Sequence, residues 1–595
     1  MHIVVRAFDG SRDDLARQCG SMVVRFSKCS MDWVATDVSG TVCIVHGRLY
    51  GIPSSANPAE VALARYRRDG LQGVARTDGS YVAVLVDKRR SAAFAITDAL
   101  TSRHGYYSVR GDGLRVSTDL KDHATGDSVL SPGGVCSYVA SDGVHGGLTP
   151  MQGTAFLPPG SIHELTLSGV RSVPHWRMTY EPRQGSYRYE DLRDTWISLM
   201  RQAMERRLST LDPSVAYVSL SAGHDSRGLL GFASEMLGPE RIEAITYHHG
   251  PYHGDMDRDL AAAIAGAAHV RHRVVEGYRG DFMGLLRYNA SRGQGVAHFC
   301  DEGSAWTEMD EEFRSTPNAA LIVGDRQPHH AWLGRKAAGA DALMACSVKP
   351  PDAIGWFLDS LSPDSASSLR ESWDRRFDEL AAELDAVDSW QDRLHRAYLQ
   401  TRLPYTLNLW RELFCGHSIE TISPYLDLDL LQFVLTLPLE LNDGDGGPLH
   451  SRAIWDAFPD LAAIGLSKGG WNAPDWGREI QLHANQIRES VIDERSPLDD
   501  LIPPSAVLKL LAAVESSRPE LATATSGYKW RIRAWVKNTP AVQSAYRKVR
   551  KNTRMWGGVR PVGQVHLLRR LLCLRLGLTE LLASKVEVQS EWTDI

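Results

Sequence analysis

Val215-Ala-Tyr-Val-Ser-Leu-Ser-Ala-Gly-His-Asp-Ser-Arg-Gly-Leu-Leu-Gly231 decides the reading of this chain. Ala216 to Leu220 is short, apolar and β-prone, a turn of small and polar residues follows, and from Leu229 an apolar run of helical character begins. A strand, a small-residue loop and a helix start together build an anion site. The first backbone N–H groups of a helix are unpaired, and its dipole places about half a positive charge there. Ala222 and Gly223 let the backbone approach a phosphate, Ser221 and Ser226 offer hydroxyls, and Asp225 can hold Mg²⁺ against phosphate oxygens. No Gly-Lys-Ser/Thr follows, so this is not a Walker loop. Taken alone, the stretch also reads as a surface turn, where Ser, Gly and Asp are common. Its neighbours decide.

At 595 residues the chain is too long for one core and fits about two or three domains. Its 43% hydrophobic and 23% charged residues are those of a globular protein, and a net charge of −6 argues against a general nucleic-acid binder. No apolar run approaches the roughly 18 residues a transmembrane helix needs, and Met1-His-Ile-Val-Val-Arg6 does not read as a signal peptide. Cysteines 19, 29, 43, 136, 300, 346, 415 and 573 are scattered without a Cys-x-x-Cys pair, which suits reduced thiols, a cytoplasmic location and no structural zinc.

Past the loop, Arg241 to Tyr247 reads as a second strand, Leu260 to Ala267 as a helix and His272 to Val275 as a third strand, the spacing of a parallel sheet with crossover helices. The loop between them, His248 to Asp257, holds three histidines and two aspartates. No further ligand at helical spacing supports a metal there, so a polar loop over a nucleotide is the reading. Ala319-Ala-Leu-Ile-Val-Gly-Asp-Arg-Gln-Pro-His-His330 is another strand and loop.

Ser-x-Gly-x-Asp-Ser after a strand, here Ser221 to Ser226, resembles the pyrophosphate loop of ATP-pyrophosphatases, in particular the synthetase domain of the asparagine synthetase family. The resemblance continues in order through Asp257, through Gly324-Asp325, through Glu420 with Ser423-Pro-Tyr-Leu-Asp427, and through Gly465-Leu-Ser-Lys-Gly-Gly-Trp471. It implies ATP and Mg²⁺ as cofactors. Ser221, Gly223, Asp225, Ser226 and Asp257 would bind the nucleotide, with Asp225 and Asp325 on the metal. Asp325 would serve as general base or orienting acid, Glu420 would support the base that deprotonates the attacking amine, and Lys468 would meet the α-phosphate and developing oxyanion. A cation there lowers the barrier selectively, since both groups acquire charge only in the transition state. Glu420 equally reads as a buried, hydrogen-bonded structural acid. Where the family carries a further acid this chain has Pro328, His329 and His330, which leaves the second magnesium contact in doubt; a histidine there could move a proton.

Residues 1–182 read as short strands and turns with a helix over Pro58 to Tyr66, and in order they resemble the glutaminase domain of the same family. That chemistry needs an N-terminal cysteine whose own amine acts as base, whereas the sequence opens Met1-His2-Ile3. The expectation is a domain that no longer hydrolyses glutamine. The implied fold is α/β: an N-terminal Ntn-type αββα sandwich (1–182), a parallel-sheet synthetase domain (187–500), and a helical basic C-terminal extension (501–595) that reads as a packed cap with a solvated basic face. Pro350 to Tyr398 reads as a helical insertion with solvent-exposed polar faces.

The implied chemistry is carboxylate adenylation, releasing pyrophosphate, followed by capture with an amine and release of AMP. Without a glutaminase the amine comes from the substrate or a second molecule. That fits lactam-forming relatives, the β-lactam synthetases and lasso-peptide cyclases, acting on a peptide or amino-acid-derived substrate. Chain length, insertion and basic tail favour macrolactam formation, with room for a leader-binding or peptidase partner and none for nucleic acid or membrane. An intermolecular amide ligase, an ammonia-using enzyme and an inactive nucleotide-binding scaffold are the alternatives.

Overall fold

The computed structural model describes residues 2–7, 18–19, 22–27, 32–110, 113–183, 185–249, 255–325, 338–416, 418–438, 441, 448–466, 474–517, 559–583 and 593–594. Lys468, His329 and His330 lie outside the described residues.

The front half holds two antiparallel sheets. One runs, in spatial order, Gly169–Pro174, Ser161–Thr166, Ala92–Thr97, Gly79–Asp87, Val42–Leu49 and Asp32–Thr36. The other runs Thr154–Phe156, Tyr106–Arg110, Gly113–Ser117, His2–Ala7, Met22–Ser27 and Thr593–Asp594, with Gln18–Cys19 also on Met22–Ser27. Alternation of side chains explains the layering. Val42, Ile44, Val82, Val84 and Val86 of the first sheet pack on Leu114 and Val116 of the second. Cys43, Val45, Tyr81, Ala83 and Leu85, on the opposite face, pack on Ala59, Ala62, Leu63 and Tyr66 of the helix Pro58–Asp69. The helix Pro132–Ser141 buries Val135, Cys136, Tyr138 and Val139 in one cluster with Tyr106 and Phe156 of the second sheet. Each helix begins with a capping side chain followed by proline: Asn57 accepts from Ala59 N–H, and Ser131 from Gly134 N–H. Such a cap satisfies a donor that would otherwise be orphaned, and proline at the next position is already set at helical φ.

The back half is built on five parallel strands in the order Arg271–Glu276, Ile242–His248, Ala216–Ser219, Ala320–Ile322, Glu420–Ile422. Both faces are covered, as a parallel sheet requires. Ala216 and Val218 pack with Leu229, Leu230 and Phe232 of the following helix, and Tyr217 faces Phe313 on the other side, ring centroids 4.8 Å apart.

The stretch from Pro350 is helical with exposed polar faces, as expected, and the helix Pro363–Asp385 turns Leu369, Trp373, Phe377, Leu380 and Leu384 into the main core while Arg375, Asp378, Glu379 and Glu383 stay in solvent. One expectation needs correction. The described part of the C-terminal region is helical, but the arginines of its last helix are not solvated, and Arg547 to Lys551 lie outside the described residues. In the helix Gln564–Ala583, Arg569, Arg570 and Arg575 are all buried, and Arg569 pairs with Asp301, Arg570 with Asp142 and Arg575 with Asp499. Leu567, Leu568, Leu571 and Leu574 are fully buried on the same helix. Apolar burial on this scale, about 1.5–3 kcal/mol per side chain, outweighs what a solvated face would contribute, and the arginines follow the helix inward because carboxylates await them. The chain then returns to the front half, where Thr593 pairs with Phe26.

No helix among the described residues is long and apolar enough to cross a membrane.

Candidate functional site

The central strand Ala216–Ser219 has a parallel neighbour on each side, so the chain leaves it in one direction and later returns on the other. In such sheets the loops diverge at the carboxyl ends of the two strands flanking this switch and leave a crevice. The loop Leu220–Gly223 lies there, followed by the helix His224–Leu237. Its N-cap, Gly223, has no side chain to cap the helix, and among the described residues no side chain takes that place, which leaves first-turn amides for an anion.

The loop is internally braced. Ser226 Oγ donates to the Ser221 carbonyl at 3.0 Å and accepts from Ser221 N–H at 3.0 Å, while the two hydroxyls lie 3.1 Å apart. Gly223 N–H donates to Ser221 Oγ at 3.2 Å. Ala222 N–H donates to Asp257 Oδ1 at 3.1 Å, which brings the acid of the second loop onto the first. Gly324, just past the strand Ala320–Ile322, lies so close that a Cβ there would sit 3.5 Å from Asp225 Cβ and 3.8 Å from Ser226 N. Asp325 follows, its carboxylate paired with Arg411 and its carbonyl accepting from Ser423 Oγ at 3.0 Å. Ser221, Gly223, Asp225, Ser226, Asp257 and the Gly324-Asp325 turn are therefore gathered at one edge of the sheet.

Glu420 is placed differently. It opens its strand, opposite Ala320, whereas Ser423 lies at the carboxyl end. Its Oε2 accepts from Arg103 Nη2 of the front half at 2.8 Å, and its Oε1 is buried without a hydrogen-bond partner. Beside it Glu412 Oε2 lies 2.5 Å from His104 Nδ1. These contacts hold the loop Thr101–His104 against the sheet edge. Between the halves a cavity of about 40 Å³ is lined by Tyr50, Asp78, Asp98, Arg207, Asn408 and Arg411. That is room for a few waters.

Several residues of the site carry no local motif. His450, from the helix Pro448–Ala457, places Nε2 2.6 Å from Asp225 Oδ1, its ring 5.0 Å from those of both Trp196 and Tyr425. Tyr425 donates its hydroxyl to the Asp225 carbonyl at 2.7 Å. It lay in plain view within Ser423-Pro-Tyr-Leu-Asp427. Asp427 is fully buried and pairs with Arg206 at 2.5 Å and Arg207 at 2.7 Å, and Arg207 in turn lies over the Tyr50 ring of the front half. The Pro-Tyr-Leu-Asp turn thus locks the long helix Tyr189–Leu211 to both halves.

For a metal, no group of three candidate ligands occurs among the described side chains. Mg²⁺ commonly binds through one or two carboxylates together with substrate phosphates. The partly exposed Asp225 carboxylate, at the mouth of the loop, fits that mode of binding.

No protein-family model matches the chain, and no curated protein does. Among solved structures, a tRNA thiolase from Methanococcus maripaludis with its 4Fe-4S cluster shares 10% identity at a TM-score of 0.22, over 57% of this chain and 89% of the other. Glutamine phosphoribosylpyrophosphate amidotransferase from B. subtilis, complexed with ADP and GMP, shares 10% identity at a TM-score of 0.18, over 58% and 72%. Likenesses this faint establish neither fold nor activity.

Proposed function

We propose that the chain is an ATP-dependent, AMP-forming amide synthetase of the asparagine synthetase type. One observation carries this reading: Ser221, Asp225, Ser226, Asp257 and the Gly324-Asp325 turn meet at an uncapped helix N-terminus on the switch point of a parallel sheet. An open helix N-terminus with hydroxyls and a carboxylate suits a polyphosphate and its Mg²⁺ better than a neutral ligand.

In the proposed reaction a substrate carboxylate oxygen attacks the α-phosphorus of ATP, and the bond to the β-phosphate oxygen breaks, releasing pyrophosphate. An amine then attacks the acyl carbon, AMP departs with the bonding electrons, and the amine loses its proton. Ser221 and Ser226 would hold the leaving phosphates. Asp225 and Asp325 would hold Mg²⁺, which supplies charge neutralisation on the phosphate oxygens. Lys468 is assigned to the α-phosphate, and Asp325 to the proton or the orientation of the amine.

Glutamine is not the proposed nitrogen source. Each cysteine whose side chain is described is buried, and burial raises the Cys43 thiol to about 12, so none of these suits nucleophilic attack. The amine would come with the substrate, closing a lactam or macrolactam in a peptide or amino-acid-derived molecule as the lactam-forming relatives do. The described tail arginines, buried on the helix Gln564–Ala583, do not supply the basic surface that favoured a large substrate. Incubation with ATP-Mg²⁺ and candidate carboxylates, without glutamine, tests the reading. AMP and pyrophosphate formed only with substrate, and lost in Asp225→Ala, are expected. A product lighter by one water marks cyclisation, and one heavier by an amine less water marks ligation. ADP with phosphate overturns the mechanism.

A further inference from the structure

Arg227 follows Ser226 in the first turn of the helix His224–Leu237 and is 1% exposed. Its Nη1 donates to the carbonyls of Leu461 and Ile464, each at 2.7 Å. Its Nη2 donates to the Gly465 carbonyl at 3.1 Å and to the Ala222 carbonyl at 3.3 Å. Its Nε is buried without a hydrogen-bond partner. Among the described residues no carboxylate forms an ion pair with it.

A buried arginine ordinarily has an acid beside it, because isolated charge is costly to bury. Arg207, twenty positions earlier in sequence, shows the ordinary case with Asp427. Four carbonyl dipoles meet the terminal nitrogens of Arg227 without cancelling the charge. The Ala222–Gly223 peptide is held from both sides, its carbonyl by Arg227 and its N–H by Ser221 Oγ, while the preceding peptide is held through the Ala222 N–H by Asp257. Holding both ends of one peptide fixes its plane and the direction of the loop that follows it.

We propose that Arg227 is a positioning residue for the pyrophosphate part of ATP. It sets the Ala222–Gly223 peptide in the phosphate loop and places behind the helix N-terminus a positive charge that no described carboxylate pairs, so that the site takes a polyanion in preference to a neutral ligand. This rests on the reading of the loop as an ATP site and adds to it the group that tunes its affinity.

Titration calorimetry of the full chain with inorganic pyrophosphate in Mg²⁺, for the unaltered protein, Arg227→Lys and Arg227→Met, tests it, with urea midpoints measured beside. Lysine keeps the charge but cannot bridge four carbonyls. We expect the pyrophosphate Kd to rise about tenfold in Arg227→Lys and about a hundredfold in Arg227→Met. A lowered urea midpoint with unchanged Kd in Arg227→Lys would make the residue merely structural and overturn the proposal. If Arg227→Met does not fold, the lysine variant alone decides. Should the unaltered protein bind neither ATP nor pyrophosphate, the ATP-site reading falls and this proposal with it. Binding by the unaltered protein and by Arg227→Lys alike removes the proposal only.

Discussion

His450 Nε2 stands 2.6 Å from Asp225 Oδ1, across 225 positions of sequence, and orients the one carboxylate in the first turn of the helix His224–Leu237. Trp196 and Tyr425 wall the imidazole in, so the carboxylate is held in place before any ligand arrives. Asp225→Asn should therefore lower pyrophosphate release by about a hundredfold or more, since a charge aimed at the reacting phosphates is lost. His450→Gln acts only through Asp225 and should cost about tenfold. Pyrophosphate release under saturating ATP-Mg²⁺ measures both, and equal losses would place His450 on the substrate itself.

The pair Arg103–Glu420 joins the halves with both side chains largely buried, 3% and 10% exposed. Arg103→Met and Glu420→Gln should each lower the unfolding free energy by about 3 kcal/mol, because each leaves its partner's charge buried alone. The double variant should cost less than the sum of the two. Urea denaturation of the four proteins tests this, and strict additivity would mean the pair carries no coupling.

Glu302 offers a pH test. Burial raises its carboxyl from 4.5 to about 8, with the neighbouring Asp301 charge pushing the same way. Below about 4.5 the group is protonated folded and unfolded, and contributes nothing to pH dependence. Between there and about 8 the unfolded chain has released the proton and the folded one has kept it, so stability falls as pH rises. Glu302→Gln mimics the protonated form. Its stability relative to the unaltered protein should grow from pH 4.5 to about 8 and then level off. A constant difference across that window would show that the folded carboxyl titrates normally.

The helix Gln564–Ala583 is core, not appendage. Leu571→Ala should cost about 3 kcal/mol of unfolding free energy, the ordinary effect of emptying a fully buried leucine site. Arg575→Met should be strongly destabilising too, for it strands Asp499. Urea midpoints near those of the unaltered protein would return the helix to the role of a surface cap.

Much of the back half was legible. Ala216 to Leu220, Arg241 to Tyr247 and Ala319 to Val323 each end at a turn of small or polar residues, and each proved a parallel strand. The helix after the loop begins at His224, well before the apolar run at Leu229, because its first turn is polar by design of the site. Glu420 shows where spacing stops being informative. Its motif was plain, yet whether it faces a ligand or a partner depends on Arg103, 317 positions away.

Sequence alone displayed the strand, small-residue loop and helix that run on from Ala216, the strand-and-helix alternation of the back half and the helix over Pro58 to Tyr66. These follow from the local backbone preferences of small residues and from period. Tertiary structure alone decided which charges meet: His450 with Asp225, Arg411 with Asp325, Arg103 with Glu420, and Arg227 with carbonyls rather than an acid. It also drew the tail arginines inward. The strength of a charge pair depends on distance and desolvation in three dimensions. Neither has a period or a spacing that a linear sequence displays.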